Sequence, residues 1–376
     1  MYFFYILVSI LIYPLFLLAL IPLSFKDKYS KLYQKFLPFK KHKIADIHFH
    51  FASYGEAVAL GELIKYYKNK GFKILLTCSS KTGLMKAKEF DDNAFLLPYE
   101  PLLYLWLKPA KTLIVFEAEL WLALLKIYKD FDKNTILLNA RMKENSFKNY
   151  KKFSFYYAKI FSYFDLILAQ SNEDKERLEY FNAKNIEVFT NIKITNKPIV
   201  TKQLSKNKEI ILIASTHENE EEIILNKLDK NFLKDKCLII APRHPERFHK
   251  VEKLLYNKGF NIVKYSNDCD GYLKSEVFLL DTLGELINFY SISDYVILGG
   301  SYVKIGGHNF AEAAFFGCKI TSGTNVFSQY SSLKCIENIK ISDDIDFTNV
   351  KNAKIKNEYT FNALCEILDR KINETR

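Results

Sequence analysis

No charged position interrupts residues 1–25, where Leu, Ile, Phe, Val and Tyr dominate. Beyond them the pattern changes: short apolar runs rich in β-branched residues alternate with longer segments whose apolar positions recur at helical spacing. Residues 44–52 read as a strand and 56–70 as a helix, then 72–78 as a strand and 82–90 as a helix. Strand-like runs at 112–116, 135–139, 165–169 and 186–189 continue the series, each separated by enough chain for a crossover helix. This alternation predicts a doubly wound parallel sheet. A polar stretch at 195–208, containing Pro198 and several Lys and Asn residues, interrupts the rhythm. It restarts at 209–214 and runs through 237–241, 261–264, 277–280, 295–298 and 319–321. The expected organisation is therefore an apolar segment (1–25), a basic segment (26–43), two Rossmann-like domains (44–200 and 208–350) and a closing helical segment (351–376). Within it a helical end such as 358–372 could fold back on the first domain, though no residue requires it.

About 25 uncharged residues are enough to cross ~30 Å of hydrocarbon as a helix. The stretch lacks the basic leader and small-residue cleavage site of a signal peptide, so it is expected to be a transmembrane anchor. Lys26, Lys28, Lys31, Lys35, Lys40, Lys41 and Lys43 follow, opposed only by Asp27 before Asp46 and interleaved with Tyr29, Tyr33, Phe36 and Phe39. That bias puts the rest of the chain in the cytoplasm, with the Lys and aromatic mixture suited to inner-membrane lipids of an anionic leaflet. The other reading is a solvated linker. An apolar fraction of 49% over 376 residues is enough for two cores. The net charge of +11 favours anionic partners, but Lys abundance without Arg runs or a nucleic-acid motif speaks against nucleic acid. Six scattered cysteines with no Cys-x-x-Cys pair argue against a zinc or disulfide framework.

Four acidic residues recur three positions after a capping residue: Ser53-Tyr-Gly-Glu56, Ser215-Thr-His-Glu218, Thr282-Leu-Gly-Glu285 and Asn309-Phe-Ala-Glu312. Each fits a capping box, which alone would explain it. Glu56, however, follows a buried strand, where ligands of open α/β sheets bind, and a carboxylate there suits a general base. Glu117-Ala-Glu119-Leu-Trp121 ends another strand and offers two more carboxylates, or merely a helix start. His48 and His50 share one strand face without a third ligand, which suggests packing or support of a neighbour rather than a metal. In the second half, Ala241-Pro-Arg-His-Pro-Glu-Arg247 presents two guanidinium groups on a loop stiffened by prolines, suited to phosphate or carboxylate. Gly299-Gly-Ser-Tyr-Val-Lys-Ile-Gly-Gly-His-Asn309 leads from a strand into a helix, as glycine-rich phosphate cradles do, and matches neither the Walker nor the dinucleotide fingerprint.

Together these motifs resemble the Kdo transferase family. The resemblance rests on His50-Phe-Ala-Ser-Tyr-Gly-Glu56, Glu117-Ala-Glu-Leu-Trp121, Asn139-Ala-Arg141, Ser215-Thr-His217 with Glu220 and Glu221, Pro242-Arg-His-Pro-Glu-Arg-Phe248, Asp281-Thr-Leu-Gly-Glu-Leu286, Gly299-Gly-Ser301, Gly306-Gly-His-Asn309 and Glu312. It implies a GT-B glycosyltransferase, two Rossmann-like domains facing a cleft, that inverts the sugar and moves Kdo from CMP-Kdo to the lipid A precursor without metal or other cofactor. It implies a proton acceptor at Glu56 and transition-state assistance from Glu117 and Lys193. It further implies a nucleotide site at Pro242, Arg243, Leu283, Gly284, Glu285, Asn309, Phe310, Ala311 and Glu312. The expected location is the cytoplasmic face of a bacterial inner membrane. A membrane-tethered GT-B enzyme with another nucleotide sugar is the alternative. Ala118, Leu122, Ala123, Thr190, Asn219 and Thr324 depart from the family's usual residues; at 219 the family usually has Gly.

Overall fold

The computed structural model describes residues 2–24 and 33–374. Two compact units emerge: Met1–Asn196 together with Phe361–Arg376, and Lys197–Thr360.

The first unit is built on seven strands: β1 (Ile47–Phe51), β2 (Ile74–Cys78), β3 (Ala94–Leu96), β4 (Thr112–Phe116), β5 (Asn134–Ala140), β6 (Leu166–Ala169) and β7 (Ile186–Val188). Their order is β3-β2-β1-β4-β5-β6-β7, all parallel. Every residue of β1, β2 and β4 is buried, as expected of central strands covered on both faces. Each buried Leu, Ile or Phe there stabilises the fold by roughly 1.5–3 kcal/mol relative to exposure. The helix Tyr54–Asn69 buries Ala57, Leu60, Ile64 and Tyr67 along one stripe and stops at Lys70. At Gly61 an added Cβ would meet the Phe90 ring at 2.9 Å, so the bare glycine is what lets the helix Lys81–Phe90 pack against it.

The second unit repeats the plan with β8 (Glu209–Thr216), β9 (Lys236–Pro242), β10 (Ile262–Lys264), β11 (Val277–Leu279), β12 (Tyr295–Leu298), β13 (Lys319–Ser322) and, past β14 (Ile336–Glu337), β15 (Ile339–Ile341). The sheet order is β10-β11-β9-β8-β12-β13-β15, again all parallel, while β14 pairs antiparallel with β16 (Lys354–Ile355). The short strands β3, β14, β15 and β16 were not expected from the sequence; with two or three residues each they carry too little period to read.

The closing segment is the helix Phe361–Asn373, which completes the first unit. Leu364, Cys365, Leu368 and Ile372 enter the core above β1 and β2. Asp369 Oδ2 accepts from Tyr66 Oη at 2.7 Å, and Asn134 Nδ2 donates to Lys371 O at 2.9 Å.

The expected anchor (1–25) and basic segment (26–43) lie partly outside the described residues. Among those described, no helix is long and apolar enough to cross a membrane, so the expected transmembrane helix is not found there. The helix Tyr2–Ser24 rests on the first unit instead. Tyr5 Oη donates to the buried Glu100 carboxylate, Tyr99 Oη donates to Ser9 O at 3.2 Å, and the Tyr13 and Tyr99 rings stack 5.9 Å apart. Leu7, Ile10, Leu11, Leu15 and Leu18 on this helix remain exposed.

Truncating Leu368 to Ala should therefore cost about 2–5 kcal/mol of first-unit stability. Glu366→Ala, on the exposed side of the same helix, should cost less than about 0.5 kcal/mol. Chemical denaturation of the two variants checks this; equal costs would mean the helix is not part of that core.

Candidate functional site

In a doubly wound sheet the connections leave on opposite faces where the strand order reverses, opening a crevice at the carboxyl ends of the two strands there. In the first unit these strands are β1 and β4; in the second they are β8 and β12. Each unit gathers its polar residues at that point.

In the first unit Glu56 lies just beyond β1. It forms the capping box: Ser53 Oγ accepts from Glu56 N at 3.4 Å and donates to Glu56 Oε1 at 3.2 Å, while Ala52 N donates to Oε2 at 2.7 Å. The cap and the site use the same carboxylate. Burial raises its pKa, the nearby Glu117 and Glu119 raise it further, and the Ala52 and Ser53 hydrogen bonds oppose the rise. Glu117 follows β4 with φ at 55°, a left-handed conformation that side chains rarely adopt. Asn139 Nδ2 donates to its Oε1 at 3.1 Å, and Lys193 Nζ stands 3.7 Å from the same oxygen. Asn139, itself at φ 62°, also accepts from Ile192 N at 3.0 Å through Oδ1, so one amide positions both Glu117 and the turn bearing Lys193. In the sequence Asn139 stands out only within the Asn139-Ala-Arg141 motif, with no role of its own.

Glu119 is held more tightly. Ser79 Oγ donates to it, Trp121 Nε1 donates at 2.9 Å, and His50 Nε2 approaches to 3.3 Å. Burial pushes its pKa up, but these donors and the His50 ring outweigh burial and bring it down to about 2. Thr77 Oγ1 links the two histidines, 2.9 Å from His50 Nδ1 and 2.6 Å from His48 Nε2. Burial keeps His48 neutral. The histidines thus support a carboxylate, as their spacing suggested. Lys35 of the basic segment turns inward, its Nζ 3.4 Å from Ser79 O and 5.8 Å from the Trp121 ring centre. Burial lowers its pKa, partly offset by Glu119.

In the second unit the expected glycine-rich phosphate cradle is already filled. Gly300 N, Ser301 N and Tyr302 N donate at 2.7, 3.0 and 2.9 Å to the buried carboxylate of Glu220, which also accepts from His217 N at 2.8 Å. Gly299 allows this approach, since a Cβ there would lie 2.7 Å from Ser215 O. The arginine pair is also divided. Arg247 forms a two-pronged ion pair with buried Glu221, at 2.8 and 2.7 Å, and donates to Thr216 O. Arg243 is exposed, and although its backbone N–H donates to Thr216 O at 3.0 Å, its guanidinium makes no ion pair or hydrogen bond among the described residues. Around it stand His217, His244, His308 and Glu312.

The remaining sequence-selected residues take separate positions. Pro242 ends β9 and is buried. Asn309 caps the short helix Phe310–Ala314, its Oδ1 accepting from Ala311 N at 3.0 Å and its Nδ2 donating to Glu312 Oε1 at 3.1 Å. Burial raises the Glu312 pKa, against Asn309 and Arg243. Phe310 and Ala311 are buried. Leu283 is exposed and Gly284 has φ 90°. Glu285 is not a capping-box acid: it binds Lys202 Nζ at 2.7 Å and accepts from Asn288 Nδ2 at 2.8 Å. Glu218 is not one either; it pairs with Lys250 at the surface, and Glu220 takes the place expected of it. The cap before Glu220 is Asn219 at φ 70°, which explains how Asn substitutes for the usual Gly: Asn is among the few residues that tolerate this region. Among the described residues no three His, Cys, Asp or Glu side chains converge as a metal site would need.

Residues 27–196 match the family model described as 3-deoxy-D-manno-octulosonic-acid transferase (kdotransferase). A 3-deoxy-D-manno-octulosonic acid transferase of Haemophilus influenzae is 31% identical over 75% of this chain and 71% of its own length. One from Aquifex aeolicus is also 31% identical, over 73% of this chain and 74% of its own. Among solved structures, UDP-GlcNAc 2-epimerase from Neisseria meningitidis superposes with a TM-score of 0.55 at 12% identity, covering 87% of this chain and 99% of that one. It shares the two-unit GT-B-like fold.

Because Glu220 alone satisfies four backbone donors, Glu220→Gln should destabilise the second unit by about 2–3 kcal/mol, turning an amide NH2 toward groups that can only donate. Urea unfolding checks it; an unchanged midpoint would show that the loop does not depend on the carboxylate.

Proposed function

This chain belongs to the 3-deoxy-D-manno-octulosonic acid (Kdo) transferase family, and from that premise we propose that it transfers Kdo from CMP-Kdo to a lipid A precursor in lipopolysaccharide synthesis. The observation that carries the reading is the placement of Glu56, Glu117 and Glu119 just beyond the adjacent strands β1 and β4, near enough to interact electrostatically, with the Glu56 pKa raised and the Glu119 pKa depressed. Carboxylates whose environments push their pKa values apart are suited to divided roles.

In this reading Glu56 accepts the proton of an acceptor hydroxyl as its oxygen attacks the anomeric carbon of Kdo. The new C–O bond forms as the bond to the phosphate oxygen breaks, CMP departs with that electron pair, and the anomeric configuration inverts. Glu117 and Lys193, held by Asn139, assist at the transition state: the ammonium faces negative charge and the carboxylate orients it. Glu119 stays ionised and holds its loop. CMP is assigned to the second unit, at Pro242, Arg243, Leu283 to Glu285 and Asn309 to Glu312. CMP departs as a monophosphate, carrying less charge than a nucleoside diphosphate, so Arg243 and neighbouring polar groups suffice without a metal. The acceptor is a membrane lipid, and the proposed location is the cytoplasmic face of a bacterial inner membrane. The uncharged run 1–25, with Leu7, Leu11, Leu15 and Leu18 exposed on its helix, and the Lys-rich segment after it support that attachment.

Purified full-length protein incubated with CMP-Kdo and lipid A precursor in EDTA should yield lipid heavier by one or more Kdo masses. Glu56→Gln should slow transfer by on the order of 10²–10⁴ while leaving CMP affinity within about twofold. Mass spectrometry and CMP titration decide it. Equal activity in the variant would reduce Glu56 to a helix cap, and a folded wild type that uses another nucleotide sugar but not CMP-Kdo would overturn the donor.

A further inference from the structure

The amides of Gly300, Ser301 and Tyr302 are committed to Glu220, and Arg247 to Glu221. Beside them stand Arg243 and an imidazole cluster. His217 and His308 meet nitrogen to nitrogen, with ring planes 6° from parallel, ring centres 5.0 Å apart and Nε2 atoms 2.9 Å apart. His244 meets His217 edge-on with centres 5.2 Å apart. The contact is built in: Gly300, at φ 72°, leaves the space that His308 fills, since a Cβ there would lie 2.9 Å from His308 Cδ2.

Two nitrogens at hydrogen-bond distance need one proton between them. When both rings are neutral, one Nε2 donates and the other accepts, so the accepting ring carries its own proton on Nδ1 while the donating ring has a bare Nδ1. One added proton makes both Nδ1 atoms donors and keeps the shared proton in place. A second would put two protons between the Nε2 atoms and break the contact. The pair is therefore a one-proton device, whose charged form presents two outward donors.

The surroundings keep that proton off until an anion arrives. Burial, His217, Arg243 and His244 bring His308 down to about 4. Burial likewise lowers His217, with Glu220 opposing and His244, Arg247 and Arg243 reinforcing. Glu220 faces the pair but is saturated by backbone donors, and Glu312, which also interacts with Arg243, is hydrogen-bonded to Asn309. An anion beside Arg243 offsets the repulsion that empties the pair.

We propose that the His217–His308 pair takes up one proton from solvent when the phosphate of a cytidine nucleotide binds beside Arg243, and that the charged pair, rather than the glycine loop, completes the anion site. This rests on the donor reading above, and makes His217 and His308 further binding residues for the same ligand.

The test is calorimetric titration of the full-length protein with CMP at pH 7.5, above the phosphate's own second ionisation near about 6, in two buffers of different ionisation enthalpy. Wild type should show heats that differ between buffers, corresponding to uptake of up to about one proton, and an affinity that rises as pH falls, by at most about tenfold per unit. His308→Gln and His217→Gln keep a neutral donor and should bind CMP with buffer-independent heat and a flat pH profile. Histidine ¹⁵N shifts of the wild type, which need no variant, should move to the protonated pattern when CMP is added. Equal heats in both buffers for wild type, proton uptake that survives both substitutions, or unmoved shifts would each overturn the proposal with the donor reading intact. A folded wild type that does not bind CMP at all would overturn both.

Discussion

A parallel sheet whose strand order reverses once must open at one edge, and everything functional in this chain hangs on that constraint. β1 with β4, and β8 with β12, are the adjacent strands whose connections diverge, so the residues that follow them are brought together however far apart they lie in sequence. Glu56 and Glu117 are neighbours in space for this reason, as are His217 and His308. Departures from easy backbone geometry occur there too: Glu117 after β4, and Ser215 and Asn219 at and just beyond the end of β8, hold positive φ, as does the neighbouring Asn139. Strain of order 1–3 kcal/mol at such a residue persists only where the surroundings over-determine it, and here buried strands on both sides do so.

The two units use acidic residues in opposite ways. In the first, carboxylates repel one another, and burial together with Glu117 and Glu119 raises the Glu56 pKa. In the second, Glu220 and Glu221 are internal anions that organise the backbone. Glu220 closes the glycine loop and Glu221 anchors the loop that ends in Arg247. A buried carboxylate is expensive to desolvate unless its lone pairs are filled, and four amide donors for one and a guanidinium with a hydroxyl for the other fill them. The result is a rigid frame around Arg243, whose charge is left without a protein partner among the described residues.

Much of this was legible in the sequence, for identifiable reasons. Strands such as Thr112–Phe116 and Tyr295–Leu298 could be read to the residue because central parallel strands are continuous apolar runs. Ser53 and Glu56 announced their cap through local spacing. What could not be read depended on partners distant in sequence. Glycines that looked like a phosphate cradle turned out to bind Glu220, some 80 residues earlier in the chain. Two arginines on one stiff loop looked equivalent until one met Glu221. Lys35 looked like any lysine of the basic segment, and only the fold turns it toward Ser79 and Trp121. The closing helix carries an amphipathic stripe, but nothing local says that it belongs to the first unit rather than the second.

If burial and two neighbouring carboxylates, Glu117 and Glu119, tune Glu56 as a base, the pH dependence of kcat/KM for Kdo transfer reports it directly. A base must be ionised to act, so the rate should fall as pH drops through the Glu56 pKa, with that acid limb lying above the usual carboxylate range. In Glu117→Gln, slower overall, the limb should move to lower pH because a repelling charge has gone. A limb that stays in place in this variant, or an acid limb absent from wild type, would contradict the account.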